Sequence, residues 1–221
     1  MRIDLQHVSK GRHGLALPET SLSYGAGARL AVTETEQRPA VLGLIAAGRM
    51  RPDTGRVLID GVEDAASLRR RVALVDAPEV NDPAPNVSAY GVVAEELMFA
   101  GRTASPIAVR TWLRENDLDD QARTPFADVA PPDRIRLLLE LAVLRAGVEA
   151  LVLVSPDRHG GSPHVWWELC EQFADRGYGV LAVAGEAAGT VLSERAIPAS
   201  AARADPASAE MDVDTDTEVA R

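Results

Sequence analysis

The chain has 221 residues, 46% of them hydrophobic and 4% aromatic, which suits one large α/β domain or two small ones. Its formal net charge of −10 argues against a nucleic-acid partner, because phosphate binding requires clustered lysines and arginines. The single cysteine, Cys170, excludes an intramolecular disulfide and a cysteine-based metal site, and its apolar helical surroundings predict a buried structural thiol.

Six short β-rich runs predict strands. The first, RIDLQHVS, alternates between polar and apolar residues, which indicates an edge or half-buried strand. The second is ARLAVT, residues 28–33. The last four are continuous apolar runs, the pattern of strands buried on both faces: GRVLID (55–60), RVALVD (71–76), ALVLVS (150–155) and GVLAVA (179–184).

Helices are predicted between these strands. Pro39 in the first position and Gly48 as the stop delimit one helix. Ser105 and Ser162 each precede a proline, so each can cap a helix. The helix from about 133 to 145 is apolar almost all round, which predicts deep burial. The order predicts one α/β domain over 1–197 with a mixed or parallel sheet and a helical insertion at about 87–130.

The two ends of the chain carry different signals. Residues 198–221 are rich in Ala, Asp, Ser and Thr, which predicts a disordered acidic tail. MRIDLQHVSK has no apolar signal region, and charged residues interrupt the longest apolar stretch. We therefore expect a cytoplasmic protein without direct membrane insertion, which can sit at the inner face of the cell membrane.

The order of landmarks resembles that of the ATP-binding subunits of ATP-binding cassette (ABC) transporters. LIAAGRMRPDTGRVLIDG, residues 44–61, matches the segment that follows the phosphate loop in this family. LRRRVALVDAPEV (68–80) resembles the strand leading to the Q-loop. The run APPDRIRLLLELAVLRAGVEALVLVSP (130–156) resembles the signature motif, its helix and the Walker B strand, and GYGVLAVAGE (177–186) resembles the strand before the switch histidine. The resemblance implies a P-loop NTPase core.

The phosphate-loop positions differ from the family pattern GxxGxGK[ST]. Glycines there let backbone N–H groups surround the phosphates, the lysine reaches the outer phosphates, and the hydroxyl binds Mg²⁺. Two carboxylates, Glu34 and Glu36, stand there instead. Two like unit charges about 4 Å apart repel by roughly 4 kcal/mol at an effective dielectric near 20, which would weaken the affinity for a phosphate roughly a thousandfold. We therefore expect no phosphate binding at the nine aligned positions, which are Thr33, Glu34, Thr35, Glu36, Gln37, Arg38, Pro39, Ala40 and Val41.

The other nucleotide motifs of the family are altered as well. Val154 stands at the position of the magnesium-binding aspartate of Walker B, and Ser155 at that of the catalytic glutamate. Asp76 replaces the Q-loop glutamine, and Gly185 replaces the switch histidine. The signature motif falls on 129–133, VAPPD. The resemblance therefore implies no catalytic residues, and we expect neither a nucleotide cofactor nor bound metal.

Local patterns offer competing interpretations. Asp157, His159 and Ser162 are residue types used by hydrolases, but one glycine-rich loop does not assemble a triad, so a strand-to-helix connection with Ser162 as N-cap is favoured. The scattered histidines predict no metal site. One of Trp166 and Trp167 is expected in the core and the other partly exposed at an interface.

The resemblance also implies a surface for a membrane partner. In the family, the segment after the Q-loop and the helical insertion receive the coupling helices of the membrane subunit. The corresponding residues here are Asp76, Pro78, Pro85, Tyr90 and Trp112. The segment 76–90 could equally be an ordinary surface loop, but the resemblance to the family favours contact with a partner.

The leading hypothesis is a degenerate, non-hydrolysing ABC-type subunit that acts as a structural or regulatory partner of a membrane permease or of an ABC ATPase homologue. One alternative is an ATPase that binds ATP and Mg²⁺ through substituted residues such as Arg38. A second is a soluble protein-interaction module unrelated to transport.

Overall fold

The computed structural model describes residues 1–33, 37–193 and 196–198. The strands, in chain order, are β1 (Ile3–Lys10), β2 (Leu17–Tyr24), β3 (Ala28–Thr33), β4 (Thr54–Ile59), β5 (Val72–Val75), β6 (Ala150–Val154), β7 (Gly179–Gly185) and β8 (Ala196–Pro198). The α-helices are α1 (Gln37–Ala46), α2 (Ala65–Arg71), α3 (Ala89–Phe99), α4 (Pro106–Glu115), α5 (Pro131–Ala142), α6 (Pro163–Asp175) and α7 (Glu186–Val191).

The strands in the described residues form two sheets. Five parallel strands lie in the order β5-β6-β7-β3-β8, and three antiparallel strands lie in the order β2-β1-β4. The strand-and-helix alternation and the parallel sheet confirm the predicted fold class.

The parallel sheet has a hydrophobic core on each face. Successive strand residues point to opposite faces, so Leu151 and Leu153 pack with α3, α5 and α6, whereas Val152 and Val154 pack with α1 and the antiparallel sheet. Every residue of β5 and β6 is buried. This two-sided burial is the physical reason for the continuous apolar runs.

The prediction of two-sided burial was wrong for GRVLID. β4 is an edge strand of the antiparallel sheet, and its first three residues are exposed. β1 is half-buried as expected, but it is the central strand of that sheet rather than an edge. α1 begins at Gln37, two residues before Pro39, and Gly48 follows its end with a φ of 68°.

The burial of side chains confirms the expectation for Cys170 and corrects the one for the two neighbouring tryptophans. Cys170 is fully buried, and burial raises the pKa of its thiol to about 12, so it is a structural thiol. Trp166 and Trp167 are both buried, at 2% and 3% exposure, so the expectation that one would be partly exposed was wrong. Their rings meet edge to face because consecutive helical residues both reach the core beneath α6.

Two predictions concern the acidic tail and the membrane. The predicted acidic tail lies outside the described residues, except for Pro198. In residues 1–33, 37–193 and 196–198, no helix is long and apolar enough to cross a bilayer.

Gly55, in β4, gives a first testable prediction. Its φ is 72°, and a Cβ there would lie 2.3 Å from the backbone oxygens of Gln6 and His7 in β1. We expect Gly55→Ala to lower the free energy of unfolding by about 2 to 4 kcal/mol, from backbone strain plus displacement of β1. Gly61→Ala is the matched control, because Gly61 has a φ of 84° and nothing within 4 Å of the added Cβ. Equal losses for both variants in urea unfolding would refute the steric argument.

Candidate functional site

The carboxyl edge of the parallel sheet brings the predicted motif positions together. Thr33 at the end of β3 pairs with Gly185 at the end of β7. Val154 ends β6, and the N–H of Ser155 donates to the carbonyl oxygen of Val183 over 2.8 Å. Asp76 follows β5, next to β6. Residues far apart in the chain therefore converge at one edge because parallel strands end on the same side.

The phosphate-loop positions are only partly described. Glu34, Thr35 and Glu36 lie outside the described residues. The backbone of Gln37 and Arg38 forms the start of α1, in which Pro39 is buried while Ala40 and Val41 are half-buried. The side-chain hydroxyl of Thr33 is buried and lies 3.5 Å from the carbonyl oxygen of Ala184.

A buried ionic network surrounds Asp76, whose side chain has no exposed surface. Arg134 Nη2 and Arg158 Nη2 donate to Asp76 Oδ1 over 2.9 and 3.0 Å. His159 Nε2 lies 2.8 Å from Asp76 Oδ2, and the Arg158 guanidinium also donates to the Asp76 carbonyl oxygen. We call Asp76, Arg134, Arg158 and His159 the Asp76 network. Each acceptor oxygen of the carboxylate is thus engaged by a nitrogen donor.

Three separate elements supply the network. Asp76 adopts a φ of 56°, at the end of β5. Arg134 lies in the first turns of α5, where its guanidinium stacks 4.3 Å over the Phe126 ring and donates to the Phe126 carbonyl oxygen. Arg158 and His159 lie in the 3₁₀ turn Pro156–His159 after β6, which Ser155 enters with a φ of 50°. The network therefore joins two strand ends of the core to α5 and, through Phe126, to residues 87–128, which contain α3 and α4 and which we call the helical segment.

The proton on His159 can be placed by hydrogen-bond chemistry. An ionised carboxylate only accepts hydrogen bonds, so Nε2 of His159 carries the proton that it donates to Asp76. The Nε of Arg134 approaches the same nitrogen to 3.1 Å. Since that nitrogen then has no free lone pair, this approach is a contact between two donors, and the Asp76 charge balances both.

The surroundings of Asp76 shift its acidity. Burial raises the pKa of a carboxyl, but the hydrogen bond from His159 and the charges of Arg158 and Arg134 outweigh it, so the pKa of Asp76 lies below its ordinary value of 3.8. The folded state therefore holds Asp76 ionised more strongly than the unfolded chain does.

This shift gives a pH prediction. Because the folded pKa is the lower one, the stability that Asp76 contributes is fully present above about pH 4 and is lost as the pH falls through the folded pKa. We expect the gap in free energy of unfolding between wild type and Asp76→Asn to narrow in acid. Urea unfolding of both proteins at pH 7 and in the most acidic buffer that keeps the wild type folded checks this. A gap that is constant or wider in acid would contradict it.

Among the residues that the structure describes, the side chains at this edge do not fit a magnesium–nucleotide complex. Mg²⁺ requires nearly octahedral oxygen ligands, usually carboxylates and water. Val154 offers an aliphatic side chain that is fully buried, and Asp76 is enclosed by cations. Asp157 Oδ2 accepts the Gly185 N–H over 3.1 Å. Across the described ranges, no group of three or more His, Cys, Asp or Glu residues is placed so that it could hold a metal ion.

The five residues expected to contact a partner fall in different places. The Asp76 side chain is inside the molecule, within the network, and does not reach the surface. Pro78, Tyr90 and Trp112 are half-buried, and Pro85 is exposed. Three large apolar side chains that sequence analysis did not single out are exposed where α3 ends and α4 begins: Met98 at 61%, Phe99 at 68% and Ile107 at 80%.

No sequence motif pointed to two members of the network, Arg134 and Arg158. His159 was considered only with Asp157 and Ser162 as a hydrolase pattern, but the structure directs Asp157 to Gly185 and His159 to Asp76. Ser162 holds the N-cap position of α6 without a side-chain hydrogen bond. The available signal was an arginine inside a helix otherwise predicted to be deeply buried, since a buried guanidinium requires a partner.

Comparisons with known proteins place this arrangement in a known architecture. No protein-family model and no curated protein matches the sequence. Among solved structures, the chain is similar to an ATP-binding subunit of an ABC transporter (17% identity, TM-score 0.57, covering 84% of this chain and 80% of that one). It is also similar to a nucleotide-free ATP-binding cassette (13%, 0.60, 89% and 85%) and to a bacterial ABC transporter cassette solved as a dimer (18%, 0.59, 82% and 87%). The chain has the fold of an ABC transporter ATP-binding cassette.

Proposed function

We propose that the chain is a degenerate cassette subunit that does not hydrolyse ATP and serves as a structural or regulatory partner of a membrane permease. The observation that carries this proposal is the Asp76 network. At the sheet edge that carries the motif positions, the buried charges satisfy one another, so they stabilise the protein instead of being held ready for a ligand.

The residue chemistry at the remaining motif positions supports the same proposal. A proline and an alanine, Pro39 and Ala40, stand where a lysine and a hydroxyl would contact phosphate and Mg²⁺. Val154 and Ser155 follow the same trend, because neither can act as a carboxylate ligand or base. Loss of these groups leaves the fold intact, since Val154 and Pro39 are buried apolar residues in its core.

The network gives such a subunit a mechanical property. It ties α5 and the Phe126 turn to the ends of β5 and β6 through charge-assisted hydrogen bonds inside the protein. A helical segment fixed in this way presents one constant surface to a partner. A second cassette subunit with intact motifs is the further partner we propose, since one solved neighbour is a cassette dimer.

The proposed permease surface is the exposed side of the helical segment. Pro85, just before this segment, is exposed and Tyr90 and Trp112 are half-buried, and Phe99 and Ile107 add exposed apolar area. Exposed apolar side chains grouped on one segment are typical of protein interaction sites.

Co-purification tests the proposal. Full-length tagged chain is expressed in its native cells, membranes are solubilised in mild detergent, and bound multi-spanning proteins are identified and quantified. We expect the wild-type chain to recover a permease. The Phe99→Ser, Ile107→Ser variant should bind that permease about thirtyfold more weakly, because hot-spot residues contribute about 2 kcal/mol or more to binding. Val62→Ser with Val191→Ser is the matched control, since both side chains are exposed on other elements. Recovery of soluble proteins alone, or equal loss in both variants, would count against the proposal.

A further inference from the structure

A basic groove lies at the opposite end of the molecule's parallel sheet from the Asp76 network. It occupies about 830 Å³ between the end of α1, β4 and α2, within the size range of ligand clefts. Five cationic side chains line it: Lys10, Arg49, Arg51, Arg56 and Arg69. A second recess of about 400 Å³ adjoins it through Arg69 and adds Arg70 and Arg145. We call these seven residues the basic groove.

Most of these charges lack a carboxylate partner. Lys10 pairs with Asp53 over 2.5 Å. Arg49 donates to the carbonyl oxygens of Ala47 and Val72, and Arg69 to that of Gly48. In the part of the chain that the structure describes, no carboxylate lies within ion-pair distance of Arg49, Arg51, Arg56, Arg69, Arg70 or Arg145.

The concentration of positive charge is unusual for this protein. The whole chain has a net charge of −10, yet the acidic residues lining the groove and its adjoining recess are Asp53, Glu63 and Glu149. Asp53 is paired with Lys10, and Glu149 is paired with Arg71, which also lines the recess. Burial is the main cause that lowers the pKa of Arg49, and the like charges of Arg145 and Arg69 lower it further. An anionic occupant would relieve this repulsion.

The chain's own C-terminal segment has the complementary pattern. Residues 210–218 read EMDVDTDTE, with a carboxylate at every second position and no cation. In an extended peptide alternate side chains lie on the same face, so these five carboxylates would form one acidic face about 27 Å long. An isolated phosphate does not require a row of arginines distributed over three elements, whereas an extended acidic segment does.

The segment is long enough to reach the groove. Strand β8 ends at Pro198 on one edge of the sheet, and Arg69 and Arg70 lie in the last turn of α2, just before β5 at the other edge. Five strands spaced about 4.8 Å apart and about 20 Å long give a diagonal of about 30 Å. The twelve residues from 198 to 210 can span about 40 Å.

We propose that residues 210–218 bind in the basic groove of the same chain as an intramolecular acidic ligand. This inference does not depend on the proposed transport function. It assigns the tail a binding site, and it makes the groove available to another acidic peptide only when the tail is displaced.

Fluorescence anisotropy with a labelled EMDVDTDTE peptide tests the proposal in the full-length chain. The tail-neutral variant carries Glu210→Gln, Asp212→Asn, Asp214→Asn, Asp216→Asn and Glu218→Gln. We expect it to bind the peptide about tenfold more tightly than wild type, because a tethered tail competes at an effective concentration on the order of millimolar.

Two further variants in the tail-neutral background locate the site. Arg51→Gln, Arg56→Gln and Arg69→Gln together should weaken peptide binding at least about tenfold, because ion pairs to exposed guanidinium groups are removed. The matched control is Arg110→Gln, Arg114→Gln and Arg123→Gln, which removes the same charge from exposed sites on the helical segment and should leave binding unchanged.

Three outcomes would overturn the proposal. Equal binding to wild type and the tail-neutral variant would show that the tail does not occupy the groove. Binding of inorganic triphosphate without peptide binding would assign the groove to phosphates. Weakened peptide binding that depends on protein concentration would show that the tail binds a second copy of the chain.

Discussion

Asp76→Asn is expected to lower the free energy of unfolding by about 3 to 5 kcal/mol, the usual cost of removing one partner from a buried ion pair. The substitution keeps the shape of the side chain but leaves the Arg134 guanidinium, only 6% exposed, without a counter-charge. Asp82→Asn is the matched control, because Asp82 is 35% exposed and lies 3.5 Å from Arg158. We expect its cost to stay below about 1 kcal/mol in the same urea titration.

A rescue variant separates loss of charge balance from loss of packing. If the cost of Asp76→Asn comes from uncompensated cations, adding Arg134→Met should recover part of the lost stability. A further loss on adding Arg134→Met would contradict this explanation. Similar costs for Asp76→Asn and Asp82→Asn would show that the Asp76 network contributes nothing special to the fold.

Phe126→Ala should produce the second large effect, a loss of about 3 to 5 kcal/mol. The ring is fully buried in the core beneath α5, and the Arg134 guanidinium stacks on it at 4.3 Å. Its removal creates a cavity and lets water approach the buried charges. Phe99→Ala is the matched control, because the Phe99 side chain is 68% exposed, and we expect a change within about 0.5 kcal/mol.

The two large effects should not be additive. Phe126 stacks on the face of the Arg134 guanidinium and Asp76 accepts a hydrogen bond from its Nη2, so the two residues share one partner. The double variant should therefore cost less than the sum of the single variants. Thermal unfolding monitored by circular dichroism provides the four values of this cycle. Strict additivity would mean that the Phe126 turn and the Asp76 carboxylate stabilise the protein independently. That result would contradict the inferred connection between the helical segment and the core.

Local patterns predicted most of the strands because burial and sequence period are directly linked. β5, β6 and β7 show continuous apolar runs because both faces of the parallel sheet are covered. GRVLID has the same apolar look, but its first residues are exposed at a sheet edge. Its partners in the antiparallel sheet lie about fifty residues away, and no local pattern shows which sheet a short strand joins.

The Asp76 network could not be predicted because its members are joined only by tertiary structure. Asp76 is 58 residues from Arg134 and 82 from Arg158. The resemblance to the family identifies Asp76 as the residue that replaces the Q-loop glutamine, but it does not identify the residues that bind the Asp76 carboxylate. The new partners come from the first turns of α5 and from the turn after β6, and only the fold brings these elements together.

Trp166 and Trp167 illustrate a second limit of sequence patterns. Neighbouring positions on a helix point about 100° apart, which suggested that one ring would face solvent. The structure covers α6 on both sides, since both rings lie in the core that also contains Phe173 and Leu169. Exposed apolar residues instead appeared at Phe99 and Ile107, where only the packing of α3 and α4 decides exposure.

Calorimetric titration of the full-length chain with Mg·ATP to millimolar concentration tests the central claim most directly. We predict no binding heat and no thermal stabilisation. Binding would be easy to detect, because a ligand at 100 times its dissociation constant adds about 2.7 kcal/mol to the free energy of unfolding. The Arg51→Gln, Arg56→Gln, Arg69→Gln variant distinguishes phosphate binding in the basic groove from binding at the sheet edge. Micromolar binding that persists in this variant and is lost in Arg38→Ala would contradict the account, because the altered loop would then be a functional nucleotide site.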